Sequence, residues 1–244
     1  MLTKRSFRDV GAITSGIAYP NDVFVDRQEN LYVANDGNVT EYAPGAWYGP
    51  SSTYSSGMSV PLAVTTDAHG NVFEGDWGND TVNEYFQGID KPVASCTLPY
   101  SVYGVAVDAE GRVFVDYSNS GIAFLAVFYP NLHGCNPTLL NNTLSSPGGI
   151  ALDKSGNLLL ADGNGVAVIN LCCPQSVNHY IGSGFCHVGT VRLNKANTLA
   201  FATDLCNDTV TIIDYASGAN KTVLGTQNGL DTPTAAVAHS NAVY

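Results

Sequence analysis

Three side chains of this sequence, Asn21, Asp22 and His187, are of types that could perform chemistry. Asn21 and Asp22 are adjacent, and their oxygens are the kind of ligand that a divalent cation such as Ca²⁺ prefers. A carboxylate and an imidazole can also hold or move a proton, so Asp22 and His187 are the candidate catalytic residues. Ca²⁺ takes about six to eight oxygens, which one Asn-Asp pair cannot supply. Asn21 and Asp22 are therefore candidate metal ligands without a complete cage.

A second group combines aromatic rings with polar side chains and could bind a ligand. Its members are Tyr19, Asn21, Asp36, Asp76, Trp77, Tyr103 and Tyr117. Aromatic faces stack on apolar surfaces, while carboxylates orient hydroxyls or amines. The alternative interpretation is that the Asp and Asn residues cap turns at the ends of strands. Turn capping does not account for Trp77 and Tyr117, because no turn requires side chains of that size.

The elements that position these residues come from a segment that recurs six times. Its copies begin at Val23, Val64, Val105, Ile150, Val191 and Ala236, as in VAVDAEGRVFVDY and IALDKSGNLLLAD. The residue that ends the first apolar run is Asp26, Asp67, Asp108, Asp153, Asn194 and His239, with steps of 41, 41, 45, 41 and 45 residues. A period of about 40–50 residues with several short strands per unit is typical of a propeller blade.

Each copy predicts a β-hairpin, because two apolar runs flank a polar turn that contains Gly or Asn. A third strand such as VTEY and a less regular fourth strand complete the unit. We therefore predict an all-β, six-bladed β-propeller of four-stranded antiparallel blades, with residues 1–244 as a single domain. Residues 5–13 are expected to pair with the sixth copy, so that the N- and C-terminal strands close the ring. A truncated larger ring is the alternative.

Composition limits the possible partners. The chain has 10 Lys and Arg against 21 Asp and Glu, which gives a net charge of −11. Nucleic-acid binding relies on clustered basic residues, so it is not expected. No apolar run approaches the roughly 20 residues of a membrane-spanning helix. We expect a monomer that binds a protein, a glycan or a small molecule.

Six cysteines without a Cys-x-x-Cys pair favour disulfides in an oxidising compartment over a metal site. The inferred blade positions pair Cys186 with Cys206, and Cys135 with Cys172 or Cys173. We therefore expect an extracytoplasmic or secreted protein. The first residues, MLTKRSFRDV, lack an apolar signal core, so the signal peptide is expected to be absent from this sequence.

The copies VFVDRQENLYVAND, VAVDAEGRVFVDY and IALDKSGNLLLAD resemble the NHL-repeat family of β-propellers. The resemblance implies a propeller fold but not one function, because such rings include binders, scaffolds and enzymes. Propellers similar to the senescence marker protein and gluconolactonases hold calcium in the central channel, and only Asn21-Asp22 resembles their ligand pattern. Virginiamycin B lyase is a further similar propeller, and it depends on a His-rich metal centre. Among the five histidines of this chain, only His187 is placed to reach a channel mouth.

These observations predict an exported NHL-type propeller that acts as a binding module on one face. That face carries the loops into the first strands and the turns between second and third strands. The alternative is a hydrolase or lyase, lactonase-like, esterase-like or similar to virginiamycin B lyase. It would act through Asp22, Asn21 and His187 with a divalent metal in the central channel. A spacer in a larger secreted assembly is the third possibility.

Overall fold

A computed structural model describes residues 12–46, 48–163, 165–171, 176–239 and 242–243 of the chain. In these residues, twenty strands form five antiparallel sheets of four, each sheet in chain order. Blade one contains β1 (Pro20–Val25), β2 (Leu31–Asn35), β3 (Asn38–Tyr42) and β4 (Ser52–Tyr54). Blade two contains β5 (Pro61–Thr66), β6 (Val72–Asp76), β7 (Thr81–Tyr85) and β8 (Pro92–Thr97). Blade three contains β9 (Ser101–Val107), β10 (Val113–Asn119), β11 (Ile122–Phe128) and β12 (Thr138–Leu144).

Blades four and five continue the same order. Blade four contains β13 (Ile150–Leu152), β14 (Leu158–Asp162), β15 (Gly165–Asn170) and β16 (Ser176–Ile181). Blade five contains β17 (Val188–Leu193), β18 (Leu199–Asp204), β19 (Thr209–Asp214) and β20 (Asn220–Leu224). A two-stranded ribbon of β21 (Ala238–His239) and β22 (Ala242–Val243) follows. The described helices are single 3₁₀ turns at His133–Cys135 and Thr226–Asn228, and neither is long and apolar enough to cross a membrane.

The turn between the first and second strands of each blade forms as the repeat predicts. In blade two, Asp67 Oδ1 accepts hydrogen bonds from the backbone N–H of His69 and Asn71, at 2.8 and 2.9 Å. Gly70 takes a positive φ of 85° in this turn, which a residue without Cβ adopts freely. The equivalent residues Asp26, Asp108, Asp153 and Asn194 accept corresponding bonds in their own blades. The prediction that this residue closes its own turn is confirmed.

The apolar core lies between neighbouring blades rather than within one sheet. Blades two and three share one buried cluster, which includes Phe73 and Val105, and similar clusters fill the other seams. At the seam between blades five and one, Ala236 packs on the fifth sheet and Val237 on the first. Thr234 Oγ1 also donates to the carbonyl of Pro20, at 2.8 Å. The segment around residues 234–237 therefore closes the ring.

The prediction of six four-stranded blades is wrong, because the structure is a five-bladed propeller. The sixth copy of the repeat supplies only the ribbon β21–β22, whose strands are two residues long. Residues 12–19 form no strand, and residues 5–11 of the predicted partner strand lie outside the described residues. Short apolar runs that match the repeat pattern do not suffice for a blade, because a stable sheet needs further paired strands.

Among the described residues, two disulfides are present, Cys186–Cys206 and Cys96–Cys135. The first is the pair that the sequence predicts. The predicted pairing of Cys135 with Cys172 is wrong, because Cys135 is bonded to Cys96. Cys172 and Cys173 lie outside the described residues. Two disulfides are typical of an oxidising, extracytoplasmic environment.

Candidate functional site

The upper face of the ring comprises the loops that lead into the first strands and the turns between second and third strands. A polar residue that ends the second strand ties these two elements together in four blades. These residues are Asn35, Asp76, Asp162 and Asp204, and each accepts from backbone N–H groups 16–18 residues earlier. Asp76 accepts from Ser59 N–H at 2.5 Å and from Val60 N–H at 3.0 Å.

Capping therefore explains the recurrence of these acidic residues. Asp76, a predicted ligand contact, is buried and also accepts from the backbone N–H groups of Gly78 and Asn79. Asp204 is held in the same way: burial works against its ionisation, but the amides of Cys186 and His187 keep the pKa of the carboxyl below its usual value. The hydrogen-bonding capacity of both carboxylates is used to hold the loops around them.

Blade three replaces the capping carboxylate with an aromatic residue. Tyr117 occupies the position of Asp76 and is buried, with 4% of its surface exposed. Its ring stacks on Phe124 at 5.6 Å between centroids and on Tyr100 at 6.5 Å. In blade three, stacked aromatic rings hold the loop to the end of the second strand, as hydrogen bonds to Asn35, Asp76, Asp162 and Asp204 do in the other blades. The size of Tyr117, which no turn requires, is explained by this packing, and Tyr117 itself faces inward.

Trp77 and Tyr103 contact each other on the upper face where blades two and three meet, and Tyr100 lies in the loop that leads into β9 on the same face; these three residues are called the aromatic patch. Trp77 is 44% exposed and Tyr100 is 39% exposed. The indole Nε1–H of Trp77 donates to the hydroxyl of Tyr103 at 3.2 Å. The strand that carries Tyr103 is held to the Trp77 turn, because Ser101 Oγ donates to Asp80 Oδ1 at 2.8 Å. The patch is a half-exposed apolar surface on a fixed scaffold.

Tyr19, Asn21 and Asp36 lie together on blade one. The amide of Asn21 donates to the carbonyl of Pro61 at 2.9 Å and to Asp36 Oδ1 at 3.3 Å. Asn21 therefore joins blade one to blade two, and its Nδ2 is used for that purpose. Asp36 is exposed, and Tyr19, at 80% exposure, projects into solvent.

The central channel contains a buried ion pair between Asp22 of blade one and Arg192 of blade five. Asp22 is 1% exposed, and its Oδ2 accepts from the Arg192 guanidinium and from Val64 N–H. Burial raises the pKa of the Asp22 carboxyl, and the guanidinium opposes that rise. Asp22 Oδ1 has no hydrogen-bond partner among the described residues. The cationic group that this predicted metal ligand binds in the structure is the guanidinium.

Arg192 is the functional residue that sequence reasoning missed. Besides Asp22, its guanidinium donates to the carbonyls of Ile150 at 2.7 Å, Val23 at 3.0 Å and Val64 at 3.3 Å. One side chain thus connects blades one, two, four and five across the channel. The signal was present in the repeat: the equivalent residues of the other blades are Phe24, Thr65, Ala106 and Ala151, none of them charged.

His187, the other candidate catalytic residue, lies half-buried beside the Cys186–Cys206 disulfide on blade five. Its backbone N–H donates to Asp204 Oδ1 at 3.1 Å, and its carbonyl accepts from Leu205 N–H at 2.9 Å. In the described part of the chain, Cys186, Asp204 and Cys206 are close enough to share a metal ion. Both sulfur atoms are committed to the disulfide, and the carboxylate is bonded to loop amides, so this cluster is a structural clamp.

No known protein-family model and no curated protein sequence matches this chain. Membership of the NHL-repeat family therefore stays a prediction. Among solved structures, the chain is similar to one in "Crystal structure of Nidogen/Laminin Complex". The TM-score is 0.68 at 14% sequence identity, over 88% of this chain and 86% of that chain. At this identity, the likeness shows the β-propeller fold alone.

Proposed function

We propose that this protein is a binding module whose upper face docks a protein partner through the aromatic patch of Trp77, Tyr100 and Tyr103. The observation that carries the proposal is the half-exposed Trp77 ring, held in place by its hydrogen bond to Tyr103. Tryptophan and tyrosine dominate the energetics of protein interfaces because they contribute large contact areas with few rotatable bonds.

The scaffold beneath the patch strengthens this proposal. Tyr100 stacks on the buried Tyr117, and the Trp77 turn is fixed by the carboxylate of Asp76. A surface that is ordered before binding loses little conformational entropy on docking. The similar chain in the nidogen–laminin structure comes from a complex of proteins, which agrees with a protein partner.

We further propose that the protein acts outside the cytoplasm. The disulfide Cys96–Cys135 joins strand β8 to the 3₁₀ turn at His133–Cys135, and Cys186–Cys206 joins two loops that Asp204 already holds by hydrogen bonds. Such crosslinks persist in oxidising compartments and are rare in reducing ones. Mass-spectrometric mapping of the natural protein under non-reducing conditions tests this proposal, and recovery of these four cysteines as free thiols would contradict it.

A displayed peptide library and a glycan array test the proposed partner class. Peptides that bind the folded protein are measured again with the double variant Trp77→Ala with Tyr100→Ala. Loss of the two rings is expected to weaken binding by about 2 kcal/mol or more. Trp47 and Trp77 are the two tryptophans of the chain, so in a Trp47→Phe background the fluorescence of Trp77 reports binding directly.

Leu139→Ala is the matched control, because Leu139 is 60% exposed on the outer strand β12, away from the patch. The control is expected to bind every selected peptide as the parent protein does. Peptides that bind both variants equally would overturn the proposed docking face. Binding of glycans alone, lost in the patch variant, would keep the site but overturn the protein partner.

The alternative of a metal-dependent hydrolase or lyase at Asp22 and His187 has weaker support. The Asp22 carboxylate already pairs with Arg192, and His187 belongs to a different blade. Calorimetric titration with Ca²⁺ and Zn²⁺ separates the two candidates. Stoichiometric binding that Asp22→Asn abolishes, in a variant that still folds, would favour the enzyme.

A further inference from the structure

The positive charge of this chain is unevenly placed on the ring. Ten Lys and Arg residues are present, and three of them precede residue 12, which leaves seven. Four of these lie in the turns between first and second strands, which form the lower face, namely Arg27, Arg112, Lys154 and Lys195. The other three are Lys91 before β8, Lys221 in β20 and the buried Arg192. None of the upper-face residues that the structure describes is Lys or Arg.

Carboxylates, in contrast, occur on both faces. The upper-face loops and turns carry Asp36, Asp80, Asp208 and Asp231. Asp36 and Asp231 are exposed, and the other two are half-buried. On the lower face, cations lie beside carboxylates, as in the pairs of Arg112 with Asp108 and of Lys195 with Glu29. Within the described ranges the upper face lacks Lys and Arg partners, so its electrostatic potential is negative.

One of these carboxylates lies at the aromatic patch. Asp80 follows Trp77 by three residues in the same turn, and its Oδ1 accepts from Ser101 Oγ at 2.8 Å. Ser101 directly follows Tyr100 in the chain. The bond to Ser101 uses Oδ1, which leaves Oδ2 able to accept from a partner. The half-exposed ring of Trp77 and the Asp80 carboxylate therefore belong to one turn, beside the loop that carries Tyr100.

This combination matches the side chains of Arg and Lys. A cation is attracted to the electron-rich face of an aromatic ring within about 6 Å of its centre, and Trp is the best of the aromatic residues for this contact. A carboxylate beside the ring pairs with the same cation and accepts its N–H groups. The indole N–H of Trp77 is already bonded to Tyr103, which fixes the ring and leaves its exposed surface for a ligand.

We propose that the upper face recognises a cationic segment of the partner protein. An Arg or Lys side chain of that segment lies over the Trp77 ring and pairs with the Asp80 carboxylate. The negative potential of the face attracts the segment before contact and disfavours acidic partners. This inference rests on the proposed function, which places a protein on the aromatic patch, and it adds the chemical class of the segment that docks there.

The test compares synthetic Gly-Ser peptides that differ only at three positions, which hold arginine, citrulline, leucine or glutamate. Binding is followed by the fluorescence anisotropy of the labelled peptides. Citrulline has the shape of arginine without the charge, so the citrulline peptide is expected to bind about tenfold more weakly than the arginine peptide. The glutamate peptide is expected not to bind. The leucine peptide measures the apolar contribution of the patch alone.

Asp80→Asn removes the carboxylate charge from the patch and keeps an oxygen that can accept from Ser101. Asp80 has a positive φ of 57°, a conformation that Asn adopts readily, so the variant is expected to fold. We expect it to bind the arginine peptide about threefold more weakly and the citrulline peptide as the parent does. Glu110→Gln removes the same charge on the lower face, where 66% of the Glu110 side chain is exposed, and is expected to bind both peptides as the parent does.

Equal binding of the arginine and citrulline peptides would overturn this inference, as would equal weakening by Asp80→Asn and Glu110→Gln. Failure of the arginine peptide to bind the parent protein at about 1 mM would overturn it too. Circular dichroism checks that both variants fold, and the comparison of peptides on the parent protein needs no variant.

The double variant Trp77→Ala with Tyr100→Ala separates this inference from the proposed function. It is expected to bind the arginine peptide at least tenfold more weakly than the parent does. A leucine peptide that binds the parent best, and whose binding this variant loses, would keep the docking face but overturn its cationic partner. An arginine peptide that binds this variant and the parent equally would overturn the docking face as well.

Discussion

The two faces of this ring use the same residue type, aspartate, for different purposes. On the lower face, Asp67 closes its own turn, and its partners lie two to four residues away. On the upper face, Asp76 holds a loop that lies 16 and 17 residues earlier in the chain. The lower turns are nearly uniform, whereas the upper loops differ from blade to blade. Hydrogen bonds within one turn can recur unchanged in every blade. Hydrogen bonds between two segments change with the length and sequence of the loop that they hold.

The largest expected effect comes from removing the guanidinium that lies in the channel between the two faces. Arg192→Met leaves Asp22 buried without its ion-pair partner, and it also removes the bonds to three carbonyls. We expect a loss of about 3–5 kcal/mol in the free energy of unfolding, measured by urea denaturation. The double variant Asp22→Asn with Arg192→Met should recover part of this loss. A loss below about 1 kcal/mol for Arg192→Met would show that the pair does not join the blades.

The next effect compares the two kinds of aspartate directly. Asp76→Ala frees the amides of Ser59 and Val60, which belong to another loop, whereas Asp67→Ala affects only its own turn. We expect losses of about 3 kcal/mol for Asp76→Ala and about 1 kcal/mol for Asp67→Ala. Thermal denaturation followed by circular dichroism measures both. Equal losses in the free energy of unfolding would contradict the distinction between hydrogen bonds within one turn and hydrogen bonds between two loops.

The smallest effect concerns Glu74, a fully buried residue at the middle of β6, between the two faces. Burial raises the pKa of Glu74 well above its usual value, and Asn83 Nδ2 donates to its Oε2 at 2.9 Å. Because the folded-state pKa is raised, the folded protein favours the protonated form. Stability is full below the unfolded pKa and is lost as pH rises toward the folded pKa.

Glu74→Gln removes this loss, because a neutral amide does not ionise. We expect the variant to exceed the parent in stability by about 1 kcal/mol at pH 8 and by less at pH 5. Urea denaturation at the two pH values measures the difference. Glu110→Gln, at a residue whose side chain is 66% exposed, should show no such trend. A Glu74→Gln variant that is less stable than the parent at pH 8 would contradict the assignment.

Much of the fold follows from the repeat, because each hairpin is specified locally. Alternating apolar runs and the closing Asp or Asn predict the first two strands and the turn of each of the five blades. The number of blades did not follow, because the apolar runs of the sixth copy satisfy the same pattern while forming only a short ribbon. A strand pattern states which residues can pair, but not whether partner strands are present.

The site could be predicted in part. The sequence identified Trp77 and Tyr103 but did not identify Tyr100, which sits before β9 outside the repeated positions. The error at Cys135 has a geometric cause: a blade has two neighbours, and Cys135 of blade three bonds to blade two rather than blade four. Arg192 was not among the predicted site residues, although a charged residue within an apolar inner strand must find a partner when it is buried.

The reach of Arg192 across the channel has a consequence for the symmetry of this molecule. Blade three carries Ala106 at the equivalent position, and a toroid built from identical copies of that blade would lack the guanidinium everywhere. Its centre would be an open hole filled with water. One residue that differs between the blades thus closes the centre of the ring. A consensus design of this chain would keep the blades but lose the side chain that crosses between them.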